Sequence, residues 1–203
     1  MRFTLSNIIF QVVLVTIYLN CTCYAQSQSN LEVLNTLVEE SVIKVVPLID
    51  NNSNVFIEYF SPVDTGLFKN RLIIGLNRRN VNISTATKDS DVIFNYTLAE
   101  VFIKYNNMFR DGIFGDYFVE REARINGSLF LVKNEEVINS DKFSLSRIDT
   151  VNYNDIHNFE NNSLPFTQSK IPEESFFPSL VEPLIAVATA VVTIFLFFTI
   201  RSK

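Results

Sequence analysis

The first regular pattern along the chain is a run of apolar residues that recur at intervals of three and four, as one face of a helix requires. Ser29 and Glu32 stand three positions apart at the start of this run, which is the spacing of a capping box. Pro47 cannot continue a helix interior and marks the predicted end. The pattern predicts an amphipathic helix after Ser29, with an apolar face made of Leu31, Leu34, Val38, Val42, Val45 and Ile49.

A strand, a second helix and another strand are predicted next. Residues 55–60 are rich in β-branched and aromatic side chains, as a short strand requires. Either Asp64 or Thr65 has a side chain that can cap the following helix, and residues 78–80 end it. Residues 81–85 form the predicted second strand. One face of the helix is predicted to carry Phe68, Leu72 and Leu76.

Three long segments then alternate apolar and polar residues with a period of two, the signature of strands that bury one face. The first, residues 91–105, changes phase near residues 99–100, which predicts a β-bulge. The second covers residues 117–132 and the third covers residues 137–151. The two residues 134–135 between them suit a tight hairpin turn.

These elements predict an α+β domain over residues 26–151: an N-terminal helix, a strand–helix–strand unit and a long-stranded antiparallel meander. Beyond it, residues 152–178 are rich in Asn, Ser, Glu and Pro. This composition predicts an extended tether between the domain and the last segment of the chain.

The N-terminus has the pattern of a secretory signal peptide, with an uncharged run over residues 8–19 and small residues before a cleavage site after Ala25. As a helix the run would be about 18 Å long, too short for a hydrocarbon core of about 30 Å. Both cysteines, Cys21 and Cys23, lie in this leader of residues 1–25, so we expect a mature chain without disulfides or thiol chemistry. An uncleaved anchor and an acylated cysteine are the alternatives.

The C-terminus predicts a transmembrane helix over residues 179–200. Residues 184–200 carry no charge, and with the four residues before them they reach about 31 Å as a helix. Ser179 and Glu182 have the spacing of a capping box, and Pro183 falls in the predicted first turn. The alternatives are a buried core helix and a removable lipid-anchor signal.

Positive charge after this helix predicts its orientation. Arg201 and Lys203 lie in the three-residue tail, residues 201–203, whereas acidic residues predominate before the helix. The positive-inside rule therefore places the tail in the cytoplasm and the folded domain on the opposite side, which in a bacterium is the periplasm.

Composition narrows the function classes. The 203 residues have a net charge of -5 and 47% are hydrophobic, with a mean hydropathy of +0.17. An acidic chain has no field that attracts phosphate backbones, so nucleic acid is not an expected partner. The hydrophobic content excludes intrinsic disorder.

Candidate catalytic groups are sparse. His157 is the only histidine and lies in the predicted tether, where it can support neither a triad nor a metal site. Glu120 and Glu122 share a strand face about 7 Å apart, a spacing that suits paired-carboxylate hydrolysis. Arg124 on the same face indicates instead the mixed charges of a solvated sheet. Arg121 breaks the apolar side of that strand, and we expect no catalytic residue, cofactor or metal.

An apolar loop between the first two long strands is the predicted partner or membrane contact. Its apolar residues surround residues 110–112, and they could instead fold back over the end of the sheet. The residues predicted to make the contact are Met108, Phe109, Ile113 and Phe114.

The stretch NVFIEYFSPVDTGLFKNRLIIGLNRRNVNIS, residues 54–84, resembles the strand, capped helix and strand that open small α/β domains of bacterial envelope proteins. The curli secretion-channel lipoprotein and the periplasmic translocation protein of the Tol system have such domains. The resemblance is one of element order, and it implies assembly or scaffolding work in a cell envelope without transferring any catalytic residue.

The sequence thus predicts a single-pass membrane protein with an extracytoplasmic α+β domain that binds another envelope component. The bilayer and an envelope protein are its expected partners. A membrane-tethered ligand-binding or sensor module is the first alternative. A hydrolase that uses acidic residues is the second.

Overall fold

The computed structural model describes residues 27–50, 52–62, 66–112, 115–173 and 176–201. Its strands are β1 (Asn54–Phe60), β2 (Asn82–Ser84), β3 (Val92–Arg110), β4 (Tyr117–Lys133) and β5 (Glu136–Asn152). Its α-helices are α1 (Asn30–Ser41), α2 (Leu67–Asn77), α3 (Ile156–Phe159) and α4 (Phe176–Arg201). Short 3₁₀ turns lie at Val46–Leu48, Thr87–Asp89, Tyr153–Asp155 and Pro165–Thr167.

The five strands form one mixed sheet in the order β2-β1-β3-β4-β5. Strand β1 runs parallel to both β2 and β3, whereas β3, β4 and β5 are antiparallel neighbours. The strand–helix–strand unit and the meander are confirmed. The sequence pattern did not predict that β1 lies between β2 and β3, which makes the sheet mixed rather than purely antiparallel.

Two local predictions in the meander are also confirmed. The register of β3 against β4 shifts between Leu98 and Glu100, where the phase change predicted a bulge. The turn between β4 and β5 has positive φ angles at Asn134 (51°) and Glu135 (66°). Positive φ at both central residues is what a two-residue hairpin turn of the type I′ class requires.

Helix α1 packs on one face of the sheet, over β4 and β5, and against α2. The Ser29 Oγ accepts a hydrogen bond from the Glu32 N–H at 3.3 Å, as the capping pattern predicted. The helix ends at Ser41, earlier than Pro47 suggested. At this end the Ser41 Oγ donates to the Val38 carbonyl and lies 2.8 Å from the Tyr96 hydroxyl, a local side-chain bond of the kind that competes with the helix backbone. Of the predicted apolar face, Leu31 is partly buried and the other five residues are buried: Leu34, Val38, Val42, Val45 and Ile49.

Helix α2 begins after Gly66, whose φ of 128° lies in the region that favours glycine. The predicted capping residues Asp64 and Thr65 lie outside the described residues. The apolar face of the helix is confirmed, because Phe68, Leu72 and Leu76 are all fully buried.

The segment after β5 differs from the predicted tether. Ile156 is fully buried, and Phe159, Phe166 and Ile171 pack against the core. The Phe166 ring lies 5.4 Å from the ring of Phe68 on α2. The polar composition concealed these contacts because the apolar residues are widely spaced and follow no helical or strand period. Only residues 172–175 separate Ile171 from the start of α4.

Helix α4 begins at Phe176, three residues before the predicted start at Ser179. Pro178 then falls in the first turn, where a missing N–H costs no intrahelical bond, and Pro183 lies inside the helix. The described side chains of α4 run from Pro183 to Thr199, and all of them are exposed. Among the residues whose side chains are described, which in α4 are those from Pro183 to Thr199, we find no helix with the length and apolar character needed to cross a membrane.

Candidate functional site

An open groove with a volume of about 1010 Å³ lies at the end of the sheet where β3 turns into β4. Three parts of the chain form its walls: the start of α1, the β3–β4 hairpin, and the segment from the end of β5 through α3. The described lining residues are Ser27, Gln28, Ser29, Glu32, Asp111, Asp116, Phe118, Thr150, Asn152, Asp155, Asn158 and Phe159.

The charge of this groove is entirely negative among the described lining residues. Its four carboxylates are Glu32, Asp111, Asp116 and Asp155, and no Lys, Arg or His side chain lines it. Four carboxylates along one concave surface attract cationic groups and repel anionic ones. We find no group of three or more carboxylate, His or Cys side chains in the described chain that could hold a metal ion.

An aromatic pair borders the groove on the hairpin. Phe109 of β3 and Phe118 of β4 are cross-strand partners, and their rings stack with centroids 6.1 Å apart. Phe109 keeps 47% of its surface exposed. The backbone closes the hairpin through a bond from the Asp111 N–H to the Asp116 carbonyl at 3.0 Å. We call Phe109, Phe118 and the two groove carboxylates of the hairpin, Asp111 and Asp116, the hairpin surface.

The predicted loop contacts divide into three groups. Phe109 is exposed on the hairpin surface, and its predicted contact with a partner or membrane stays a prediction. Met108 instead is partly buried and packs against the core, because the second register shift of β3 lies between Tyr105 and Met108. Ile113 and Phe114 lie outside the described residues.

A buried cation supports the wall of the groove formed by Gln28 and Phe159. Arg121 of β4 has no exposed surface. Its Nε donates to the Asp149 carboxylate at 2.7 Å, its Nη2 contacts the same carboxylate, and its Nη1 donates to the Gln28 carbonyl at 2.7 Å. The guanidinium also lies over the Phe159 ring at 5.5 Å. A bidentate bond to one carboxylate is the strongest arrangement available to an arginine, and it compensates for the burial of the charge.

Asn30, the first residue of α1, completes this network. Its Oδ1 accepts from Arg121 at 2.9 Å, and its Nδ2 donates to the Tyr105 hydroxyl at 2.8 Å and to the Thr167 carbonyl at 2.7 Å. The asparagine amide therefore joins α1, β3, β4 and the segment that follows α3. We call Arg121, Asn30, Asp149, Tyr105 and Thr167 the Arg121 cluster.

Burial raises the pKa of Tyr105 to about 12, and the bond from Asn30 opposes this shift only in part. The charged form of a buried phenol is disfavoured because it loses its hydration. Tyr105 is therefore neutral over the physiological range, and its hydroxyl serves as a hydrogen-bond partner.

The sequence pointed to Arg121 but not to its partners. The signal was a charged residue on the apolar side of an alternating strand. Asp149 could have been found by the same test, because it faces Arg121 directly across the β4–β5 ladder. Asn30 and Thr167 gave no comparable signal, since their proximity depends on how the segment after β5 folds back.

The paired carboxylates of β4 are engaged with neighbours on the same face. The Asn106 amide reaches both of them, at 3.5 Å from Glu120 and 3.4 Å from Glu122. Arg124 pairs with Glu122. The bond from Asn106, together with Arg124, holds the pKa of Glu122 below its ordinary value. A depressed pKa favours a permanently ionised carboxylate and does not suit the proton donor of a hydrolase.

The remaining predicted positions lie near or beyond the ends of the described chain. His157 is exposed on α3. Arg201 is the last residue of α4, and Ser179 and Glu182 lie within that helix. Lys203 and the leader, residues 1–25, lie outside the described residues.

No protein family and no curated protein matches this chain. Among solved structures, a neuraminyllactose-binding hemagglutinin homologue of Helicobacter pylori is similar at 15% identity with a TM-score of 0.33 over 49% of this chain and 64% of that chain. A minor lipoprotein of Acinetobacter baumannii matches at 13% identity and a TM-score of 0.32, over 49% of this chain and 66% of that chain. The rare lipoprotein B of Shewanella oneidensis matches at 11% identity with a TM-score of 0.31, over 68% of this chain and 86% of that chain.

The chain thus spans just under two thirds of the length of the first two of these proteins. Three of the four neighbours compared are named as lipoproteins of bacteria. They do not single out the curli or Tol-system domains named above. With TM-scores from 0.26 to 0.33, these likenesses carry no argument about function.

Proposed function

We propose that this chain is a non-catalytic binding protein of the cell envelope, held in the membrane by α4 with its α+β domain outside the cytoplasm. The observation that carries the proposal is the exposure of α4. Phe195 is 67% exposed, Phe198 is 68% exposed and Leu184 is 72% exposed. A helix that is apolar on every side needs an apolar environment, which in this proposal is lipid.

The length of the uncharged run supports a membrane position. From Pro183 to Ile200 the sequence carries no charge, which corresponds to about 27 Å of helix. Glu182 precedes this run and Arg201 follows it, so charged residues would stand at the two interfaces. Spans take roughly 17–25 residues, and apolar residues each favour insertion by about 0.3 to 0.6 kcal/mol.

The orientation follows from the ends of the chain. A leader at residues 1–25 would export the domain, and the basic residues Arg201 and Lys203 would remain in the cytoplasm. The short connection between Ile171 and α4 would hold the domain close to the membrane surface.

The hairpin surface is the proposed binding site for an envelope partner. An exposed aromatic residue beside a negatively charged groove fits a partner segment with an apolar side chain and neighbouring Lys or Arg residues. The four groove carboxylates favour such a segment over an acidic one.

A tethered small-molecule binding module is the second candidate, favoured by the volume of the groove. Ligand pockets are mostly lined by apolar side chains with a few polar groups. Here Phe118 and Phe159 are the two aromatic residues in a lining that is otherwise polar or acidic. For this reason we rank a protein partner above a small ligand.

Membrane fractionation tests the anchor. The full chain should stay in the membrane pellet after alkaline carbonate extraction. Replacing Val191 and Val192 by Lys should release it, because each lysine costs about 2.5 to 3.5 kcal/mol near a helix centre. The matched control replaces the same two residues by Leu and should remain in the pellet. Release of the unaltered chain, or retention of the lysine variant, would contradict the anchor.

Cysteine labelling tests the orientation. In a chain with Cys21 and Cys23 replaced by Ser, a cysteine at the exposed position Ser146 should react in intact cells with a maleimide that crosses the outer membrane, where there is one, but not the cytoplasmic membrane. A cysteine at Ser202 in the tail should react only after the cells are permeabilised. The reverse pattern would show that the domain faces the cytoplasm.

Photo-crosslinking tests the hairpin surface. A photoreactive amino acid at Phe109 should give a specific adduct in native membranes, while the same amino acid at Phe60, which is 65% exposed on β1, should not. Replacing Asp111 and Asp116 by Asn should weaken the adduct severalfold. Equal adducts from Phe109 and Phe60 would show that the hairpin surface has no special role.

A further inference from the structure

Strand β5 presents a long and unpaired edge. It has 17 residues and pairs with β4 on one side, and no described strand pairs with its other side. The opposite edge of the sheet, β2, has only three residues. A register shift near Val137 interrupts the start of β5, and the strand is regular from Asn139 onwards. A long regular edge without proline is a template for another strand.

We propose that β5 pairs antiparallel with β5 of a second copy of this chain, with Ser144 on the two-fold axis. The two sheets would then join into one continuous sheet of ten strands. This proposal does not depend on whether α4 crosses a membrane.

The hydrogen-bonding phase of the edge limits how two identical strands can meet. Along a strand, alternate residues direct their N–H and C=O groups to one neighbour and then to the other. We call outward the residues of β5 whose N–H and C=O groups point away from β4. In an antiparallel pair of two β5 strands, the outward residues of one strand form hydrogen bonds with the outward residues of the other. For two copies of one strand, this requires that the axis pass through a residue rather than between two residues.

Among the five axes within two residues of the middle of β5, charge selects Ser144. With the axis at Ser144, Asp141 stands opposite Arg147 and Phe143 stands opposite Leu145, and symmetry makes each pair twice. An axis at Leu145 would instead place Asp141 opposite Asp149. An axis at Lys142 would place two lysines together, and one at Phe143 or Ser146 would pair no opposite charges. Opposite charges across a ladder stabilise it and like charges destabilise it.

The four residues of this pattern lie on the face that carries α1. Phe143 faces Gly127 across the β4–β5 ladder, and its ring stacks on Tyr96 with centroids 5.2 Å apart. Arg147 donates to Glu40 of α1 at 2.6 Å. That bond uses one of the five N–H groups of the guanidinium, which leaves donors for Asp141 of the second copy.

Space for the second copy exists on the same face. A groove of about 280 Å³ lies between the C-terminal end of α1 and β5, and Phe143 and Leu145 are among the residues that line it. In the paired arrangement, the Leu145 and Phe143 side chains of the second copy would pack beside this groove and extend its apolar floor.

Disulfide trapping tests the register. In full-length chain with Cys21 and Cys23 replaced by Ser, we place a single cysteine at Ser144, Ser140 or Ser146, which are exposed positions on one face of β5. Two cysteines at the axis have Cα atoms about 4.5 to 5.5 Å apart, which a disulfide can bridge. The two copies of residue 140 or 146 would be more than about 12 Å apart, beyond a disulfide.

We expect the Ser144→Cys chain to form covalent dimers under mild oxidation at least about tenfold faster than the Ser140→Cys and Ser146→Cys chains. Equal rates at the three positions would indicate random collision and overturn the proposal. Faster dimer formation at Ser140→Cys or Ser146→Cys would show a different register and also overturn it.

A charge substitution tests the pairing of Asp141 with Arg147. Adding Asp141→Arg to the Ser144→Cys chain should slow dimer formation severalfold, because it places two arginines opposite each other. The control, Lys142→Glu, also changes the charge by two units at an adjacent exposed position, but its side chain lies on the other face and opposite Ser146. It should leave the rate unchanged. An unchanged rate with Asp141→Arg would overturn the assigned charge pairing.

Discussion

The Arg121 cluster and helix α4 differ in how unfavourable surroundings are balanced: the first is a charge in the protein interior, and the second is an apolar helix on the surface. Arg121 is a charge with no exposed surface, and α4 is an apolar helix whose described side chains are all exposed. The buried charge is balanced within the domain by Asp149, Asn30 and the Gln28 carbonyl. The described part of the chain provides no comparable cover for α4. The difference is that the described domain supplies the partners of its buried charge, whereas the membrane proposed above would supply the apolar surroundings of α4.

Removing the buried cation should have the largest effect on stability. We expect Arg121→Ala to lower the free energy of unfolding by about 3 to 5 kcal/mol, because it leaves a cavity where a large side chain was fully buried and removes the donor to the buried Asn30 and to the Gln28 carbonyl. Chemical denaturation of the full chain in detergent micelles measures this. Arg124→Ala is the control on the same strand. Its pair with Glu122 is partly exposed, so a loss of about 0 to 1 kcal/mol is expected. Equal losses from the two variants would show that the cluster has no special weight.

Asn30→Ala should cause the next largest loss in the free energy of unfolding. It removes three hydrogen bonds and leaves the Thr167 carbonyl buried without a donor, so we expect a loss of about 1 to 3 kcal/mol. Asn35→Ala is a matched control, since Asn35 is also buried on α1 but its Oδ1 has no hydrogen-bond partner. The control should cost less than Asn30→Ala in the same denaturation experiment. A larger loss from Asn35→Ala would contradict the assignment.

Alkaline pH should lower the free energy of unfolding by less than either substitution does. An unfolded tyrosine loses its proton near pH 10, whereas Tyr105 in the fold keeps its proton until about pH 12. Between these values the unfolded state binds fewer protons, so the free energy of unfolding falls as the pH rises through this window. Denaturation series from about pH 9 to about pH 12 should show a shallower fall for Tyr105→Phe than for the unaltered chain. Equal slopes would show that Tyr105 does not contribute.

The smallest effect on domain stability should come from α4. Replacing Val191 and Val192 by Lys should change the free energy of unfolding of the α+β domain by less than about 0.5 kcal/mol, because these exposed side chains support no part of it. The same substitution is expected to abolish membrane retention. A loss of domain stability comparable to that of Asn30→Ala would mean that α4 packs on the domain after all.

Local periodicity predicted most of the fold. The β3 bulge, the turn at Asn134 and Glu135, and the apolar face of α2 each follow from a few neighbouring residues. The place of β1 between β2 and β3 could not be predicted in this way, because it depends on how strands far apart in sequence pair. The contact of Thr167 with Asn30 spans 137 residues and rests on two ordinary polar groups. Candidate site residues on β4 were visible from the alternation, while their partners on other elements were not.

The bond between Asn30 and Thr167 has a mechanical consequence if α4 is anchored. A pull on the anchor would reach Ile171 first, then the Thr167 carbonyl held by α1, and only afterwards the strands. If the bond broke, the chain from Glu160 to Ile171 would detach and extend to a total length of at most about 40 Å while the sheet stayed intact. The distance between the folded sheet and the anchor would thus increase under tension and decrease again when the tension ends.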